Sequence, residues 1–447
     1  MPSLPLCRLL LIVCLLFAPV VLITGCGGED GGSGSSPDDP VDTVDEARSP
    51  LDRNLSPGAG AAELEALAAG NADFAVDLLG MLGDRDRNLF FSPYGISLAL
   101  TMLYAGAEGV TRGEMADALR YRLFGEDLHD AFNRLDLILE DRQTVPTPGS
   151  TPPPLLYIAN ALWAQKGRSF LSGYLDTLAI HYGAGVHRVD FEADPEAARR
   201  TINRWASDGT EGLIEEVLPT GTISSLTRLA LTNAIYFQAH WESPFDPDST
   251  RDADFFLPDG GRTPVPMMTQ KDRFAYAEGI DHQAVELPYV GEELSMVLLL
   301  PDADARPAFE RGLTGRELLA ICDDLTPELV RVYLPRFSMD PEAIRLDDAL
   351  SGMGMETAFT EAANFSGMDG TRELAVSNAT HKTFVSVDEF GTEAGAATAV
   401  VVGPTSGNPL YTLRADRPFL FLIRDMATRT ILFMGRVTDP MENPLPH

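Results

Sequence analysis

Residues 388–406 read Asp-Glu-Phe-Gly-Thr-Glu-Ala-Gly-Ala-Ala-Thr-Ala-Val-Val-Val-Gly-Pro-Thr-Ser. Two plain readings are a flexible Gly/Ala linker and an ordinary strand ending in a turn. Every second residue from Thr392 (Thr392, Ala394, Ala396, Thr398, Val400, Val402) is small or β-branched and uncharged. The other parity (Glu393, Gly395, Ala397, Ala399, Val401, Gly403) carries the only charge, at Glu393. A period of two belongs to strands, so the segment suits a sheet with its uncharged face inward and Glu393 outward. Ala and Gly are weak strand formers, and side chains this small anchor no permanent core. The stretch reads as a strand that can insert but need not already be inserted.

Around it, the sequence predicts one large body. Apolar residues at helical spacing run over Glu63–Leu82, and Ile96–Ala105 and Arg112–Leu119 read as two more helices. Thr111 is placed to cap the last of these, with Glu114 three residues on. Residues 144–154 form a proline-rich surface excursion, followed at once by the strand-like LLYIANALWAQ. Helical patterns near 171–182 and 194–208 come next. The chain then turns β at 229–237, 274–276, 284–287, 294–300, 329–337, 384–388, 419–423 and 431–437. Helices first and strands later predict an α+β fold with large mixed or antiparallel sheets.

The 447 residues carry 66 acids against 34 bases, a net charge of −32. Only three bases are lysine (Lys166, Lys271, Lys382). Nucleic acid, heparin-like polyanions and anionic membrane surfaces are therefore poor partners. Cys7, Cys14 and Cys26 lie in the leader region, which leaves Cys322 alone in the body and excludes a disulfide framework or a CxxC metal site.

Arg8 precedes an apolar run, Leu9 to Ile23, too short for an untilted membrane span of ~20 residues. A basic residue, a short apolar core and small residues form the pattern of an export signal. Ile23-Thr24-Gly25-Cys26 resembles the lipobox of prokaryotic lipoproteins, which implies cleavage before Cys26 and its acylation; an ordinary signal peptide with an incidental Cys is the other reading. The polar, Gly-rich GGEDGGSGSSPDDP follows, and no apolar period returns before residue 63. The expected organisation is a lipoprotein signal peptide (1–25), a flexible tether (26–62), one domain (63–441) with a loop at about 389–413, and a short tail (442–447).

No HExxH, GxSxG elbow, Walker loop or Rossmann fingerprint occurs in the sequence. The seven histidines show no ligand spacing, and Glu215-Glu216 and Asp323-Asp324 read as solvated surface. Residue chemistry thus points to no enzyme, metal or cofactor.

The quoted stretch resembles the hinge and reactive-centre loop of serpins, in which a Glu-x-Gly-Thr-Glu-Ala-x-Ala-x-Thr run precedes an exposed bait. The resemblance extends over about residues 65–440. It includes Asn88 to Pro93 with Ile96-Ser97, Thr232 to Phe237 followed by Trp241, Phe245, Thr250 and Phe255, and Glu286 to Tyr289. Leu334 to Phe337, His381-Lys382, Pro418 to Phe421 and Phe433 to Val437 complete the series in family order.

The resemblance implies a single-domain serpin fold with a central mixed sheet, about eight or nine helices and an exposed loop. It also implies a monomeric inhibitor that traps a serine endopeptidase once, with cysteine proteases as further candidates. The attacked loop would insert as a strand into the sheet, a kinetically trapped native state relaxing as it does so. Glu389, Gly391, Thr392, Glu393, Ala394, Gly395, Ala396, Ala397 and Thr398 form the hinge. Counting 17 residues from Glu389, as in inhibitory members, puts the attacked carbonyl on Thr405 and the leaving residue at Ser406; Val401 and Val402 are the alternative sites. A bait of Val402-Gly403-Pro404-Thr405 suits a small apolar specificity pocket of the elastase kind. Ser92, Asn233 and His381 resemble the shutter cluster and Trp241 the breach tryptophan, whereas Gly95 stands where the family commonly has a serine. The runner-up is a non-inhibitory serpin-fold binding or chaperone-like protein whose loop is only cleaved.

Overall fold

Helix starts are written in local chemistry. Ser92 caps α2 (Pro93–Tyr104) by accepting from the Gly95 N–H, with Pro93 in the first turn where its missing N–H costs nothing. Asp194 does the same for α6 (Pro195–Gly209), and Thr314 with Glu317 forms a capping box on α8 (Gly315–Asp323). The computed structural model describes residues 44–143, 152–392 and 411–442. The other helices are α1 (Ala61–Met81), α3 (Gly109–Ala118), α4 (Glu126–Arg142), α5 (Ser172–Tyr182), α7 (Arg306–Gly312), α9 (Asp347–Gly352) and α10 (Ser366–Asp369). Among the described residues, no helix is long and apolar enough to cross a membrane.

Two sheets organise the body, as the α+β expectation requires. The first contains β1 (Asp45–Ala47), β3 (Leu155–Gln165), β4 (Val186–Val189), β5 (Leu229–His240), β11 (Phe337–Met339), β12 (Ile344–Arg345), β13 (Asn378–Val387) and β14 (Gly391–Thr392). Its order is β1-β4-β3-β5-β14-β13-β11, with β12 against β13. The second contains β2 (Leu89–Phe91), β6 (Arg251–Phe256), β7 (Arg262–Glu278), β8 (His282–Pro288), β9 (Leu294–Pro301), β10 (Thr326–Pro335), β15 (Tyr411–Arg414), β16 (Phe419–Asp425) and β17 (Ile431–Val437). Every residue of β9, β16 and β17 is buried, which explains their near-continuous apolar sequence. Helix α2, buried on all sides, threads behind the first sheet.

β5 and β13 are central and parallel, paired from Asn378/Ala230 to Phe384/Tyr236. Beyond Tyr236 they part, and β14 occupies the gap antiparallel to both. The strand predicted over 329–337 is two strands in different sheets, because the chain leaves the second sheet after Pro335 and joins the first at Phe337. Arg336 sits at that corner.

Three expectations change. Thr111 does not cap α3, which starts two residues earlier; its hydroxyl accepts from the Asn364 N–H, and Glu114 binds the Thr357 N–H and hydroxyl. Helix α4 fell outside the predicted helices because it follows the α3 segment closely and is rich in charge. The expected tether of residues 26–62 is corrected over 44–60, which are fixed on the body, while 26–43 lie outside the described residues. β1 pairs antiparallel with β4 as an extra edge strand. Ser49 donates to Asp176 of α5 (2.6 Å), and the Asn54 N–H to the Ile180 carbonyl (2.8 Å). Arg53 spans Asn133, Asp136 and Glu140 of α4 at 2.8, 2.6 and 2.7 Å. It closes the rim of a cavity of about 270 Å³ between α2, α4 and β3.

Arg53 ties this strap down with charged, partly buried hydrogen bonds, so Arg53→Ala should lower stability by about 1–2 kcal/mol. Chemical denaturation measures the loss, and hydrogen exchange at residues 45–47 should accelerate. Unchanged exchange there would mean that β1 holds without the arginine.

Candidate functional site

The start of the loop is fixed by a dense set of contacts. Glu389, 1% exposed, accepts from Arg336 Nε at 2.7 and 2.9 Å and from the Thr250 hydroxyl. Its carbonyl accepts from the Phe245 N–H (2.8 Å). Trp241 binds the neighbouring backbone twice, Nε1 to the Asp388 carbonyl (3.0 Å) and N–H to the Phe390 carbonyl (2.9 Å). The Asp388 carboxylate takes the N–H groups of Phe390 and Gly391 (2.8 and 3.2 Å); burial raises its pKa, and those two N–H groups pull it back. The breach assignment of Trp241 therefore coincides with a side chain that grips the base of the loop.

Gly391 and Thr392 have already entered the first sheet. Gly391 faces His240 and Thr392 faces Ala239, with Val387 on the other side. A Cβ on Gly391 would lie 2.1 Å from the Ala239 carbonyl oxygen, so only glycine passes the end of β5 this closely. Thr392 is fully buried, and its hydroxyl pairs with that of Tyr289 (2.6 Å). Tyr289 in turn stacks on Trp241, centroids 4.7 Å apart and planes within 7°. Glu393, Ala394, Gly395, Ala396, Ala397, Thr398, Val402, Gly403, Pro404, Thr405 and Ser406 lie outside the described residues, as does Cys26. The chain is described again from Tyr411, the first residue of β15 in the second sheet.

Ser92, Asn233 and His381 come together below the gap. The Ser92 N–H donates to His381 Nε2 (3.0 Å), which puts the ring proton on Nδ1 facing Asn233 Oδ1. Asn233 Nδ2 then donates to Asn160 Oδ1. His381, Asn233 and Asn160 form one row across β13, β5 and β3. The relay ends at Asn160 Nδ2, a buried donor without a partner among the described residues. Asn160 was not singled out in the sequence; a lone amide inside an apolar strand was the available signal. Ser92 Oγ meanwhile donates to the Leu432 carbonyl (2.6 Å), tying the relay to the second sheet. Gly95 has a structural reason: a Cβ there would meet the Asn233 amide at 2.9 Å, so that amide fills the space a serine would use.

Cys322 is buried on α8, its thiol pushed up to about 11 by burial. Among the described residues no group of His, Cys, Asp and Glu could hold a metal ion.

Burial holds His381 neutral, its pKa lowered to about 3 from an ordinary 6.5. A depressed histidine binds fewer protons folded than unfolded, so it stabilises above pH 6.5 and that share is lost progressively down to about pH 3. Protonation would also aim a new N–H at the Ser92 N–H. Between pH 7 and pH 4, denaturation of wild type should therefore lose more stability than denaturation of His381→Gln. Equal losses would detach the relay from acid sensitivity.

A family model described as "Serpin (serine protease inhibitor)" matches residues 69–440. Leukocyte elastase inhibitor of horse (Equus caballus) is 38% identical over 84% of this chain and 100% of its own. Serpin B8 of cattle (Bos taurus) is 40% identical over the same shares. The crystal structure of the thermophilic serpin tengpin in its native state superposes with a TM-score of 0.77 and 28% identity, covering 89% of this chain and 100% of that one. With the order of strands, the gripped loop base and the buried relay in place, these matches make the chain a member of the serpin family.

Proposed function

We propose that this serpin inhibits a serine endopeptidase as a suicide substrate, cut at Thr405-Ser406 and trapping the enzyme as its loop enters the first sheet. The observation that carries this reading is Thr392, the first residues of the loop being seated between β5 and β13 in a gap that continues their line. The protease attacks the Thr405 carbonyl and forms an acyl-enzyme through its serine. Release of Ser406 frees the loop to follow Gly391 and Thr392 inward. Residues 391–405 in extended form span about 50 Å, at ~3.3 Å per residue, enough to carry the acyl-enzyme across a small protein.

The bait, with no Arg or Lys between Glu393 and Tyr411, fits a small apolar pocket, and the relative named for inhibiting leukocyte elastase is consistent with such a target. A cysteine protease could be trapped by the same route. The export-signal pattern of residues 8–25 and the lipobox-like Cys26 support a lipid anchor at the cell envelope or surface, facing periplasm or extracellular space. Its acidity disfavours nucleic acid and heparin-like partners, and the fold needs no cofactor or second copy.

Incubating the mature chain with an elastase-type protease should give an adduct of the summed mass that survives heat and SDS. Mass spectrometry of the released C-terminal peptide should begin at Ser406. Thr392→Arg must bury a charge at the first inserted pair, which costs far more than the ~1.4 kcal/mol that a factor of ten represents, so its turnover as a plain substrate should rise at least about tenfold. Clean cleavage of wild type with fully active protease would remove the trapping step. For the anchor, Cys26→Ala should move the protein from the membrane pellet to the soluble fraction; retention in the pellet would exclude lipidation at this residue.

A further inference from the structure

Basic residues are scarce in this chain, yet several meet on one face of β7, β10 and β15. The register sets Arg331 of β10 directly opposite Lys271 of β7, with Thr412 of β15 on its other side. One step along, Leu329 faces Arg273; one step back, Tyr333 faces Thr269 and Arg414. Side chains alternate along a strand, and Val330, Val332 and Leu334 are fully buried, so Leu329, Arg331 and Tyr333 take the other face. Arg273 is exposed, while Lys271 and Arg331 are half-buried. The Arg414 guanidinium lies over the Tyr333 ring, 4.5 Å from its centroid, and is paired with Asp416 (3.1 Å). Among the described residues Lys271, Arg273 and Arg331 have no acidic partner, and Arg331 Nε is buried with no hydrogen bond at all.

This arrangement works against the fold. Like charges directly opposite on neighbouring strands are destabilising, and a buried unpaired donor costs about 1–3 kcal/mol. In a chain with almost twice as many acids as bases, the one acid paired on this face is Asp416 on Arg414, and among the described residues none is paired with Lys271, Arg273 or Arg331. The asymmetry points to a charge supplied from outside.

We infer that the Lys271–Arg273–Arg331 face is a second docking surface, beside the loop, for a carboxylate-bearing patch on the target protease. The inference rests on the inhibitory reading for the identity of the partner. Its geometry comes from β15, which begins at Tyr411, six residues after Thr405 and so within about 20 Å of it. A protease of ~230 residues has a radius of gyration near 17 Å, so an enzyme gripping Thr405 reaches across this face. The overall charge of −32 does not forbid an acidic partner at contact range, because salt screens charges beyond about 8 Å at physiological ionic strength. A polyanion such as a sulfated polysaccharide is longer than the patch and would extend onto acidic surface, which favours a compact protein patch.

The test uses the mature chain, the triple variant Lys271→Ser/Arg273→Ser/Arg331→Ser, and Arg273→Glu, whose exposed position leaves folding intact. Association rates are measured at ~0.15 M salt with an elastase-type protease before and after succinylation of its lysines. The ratio of acidified to unmodified rate should fall by about tenfold in the triple variant and in the same direction in Arg273→Glu. An unchanged ratio overturns the surface. A second arm titrates labelled hexaglutamate, whose binding should weaken with salt and drop about tenfold in the triple variant, whether or not any protease is trapped. Equal peptide binding by both proteins likewise overturns the inference, and tighter binding of a sulfated disaccharide than of hexaglutamate at these residues would overturn the choice of partner. Loss of trapping with retained peptide binding would remove the inhibitory reading alone.

Discussion

A single polarised row of buried hydrogen bonds decides how firmly the first sheet stays shut. From the Ser92 N–H through His381 and Asn233 to Asn160, each group has its donor and acceptor roles set by the one before it. The row crosses three strands and roots at the cap of α2, a helix with no exposed face. Such a network is high in stakes because a low local dielectric makes each unpaired polar group costly. Parting β5 from β13 at this level breaks the His381–Asn233 link and strands two polar groups at once. The parallel ladder on either side therefore opens from its free end or not at all.

That free end is where the loop begins, and the chemistry there is of a different kind. Instead of a neutral relay, the base of the loop is held by an ion pair at Glu389, by the Trp241 indole and by the backbone of Asp388 to Gly391. Arg336 reaches Glu389 from the corner at which the chain passes between sheets, so the two sheets and the loop share one anchoring point. The other end of the loop returns at Tyr411 in the second sheet. One structure thus holds a loop fixed at both ends, with a gap in the first sheet beginning at one of them.

Part of this was legible in the sequence. The family resemblance singled out Ser92, Asn233 and His381, and the structure brings the three together, whereas most of the alternation from Thr392 falls outside the described residues. What escaped did so for physical reasons. The strap at residues 44–60 binds by strand-edge hydrogen bonds and isolated polar contacts such as Arg53 to α4, and those leave no apolar period. Thr111 and Glu114 have the spacing of a capping box but use their groups on Asn364 and Thr357, distant partners that local pattern cannot name. Asn160 gains its role only from register, which places it opposite Asn233. The split of 329–337 between sheets turns on a corner at Arg336, where burial continues on both sides and hydropathy gives no break.

The direction of β14 has a thermodynamic consequence of its own. It runs antiparallel to both neighbours, while those neighbours run parallel to each other. Each residue following Thr392 into the sheet would exchange one slanted parallel pairing for two antiparallel ones, and antiparallel pairing is the more stable per residue. Seven such exchanges are available between the gap and Asn378. The closed sheet thus uses the weaker ladder geometry, and each exchange adds to the gain from insertion, against the cost of the His381–Asn233 link that the fourth of them breaks.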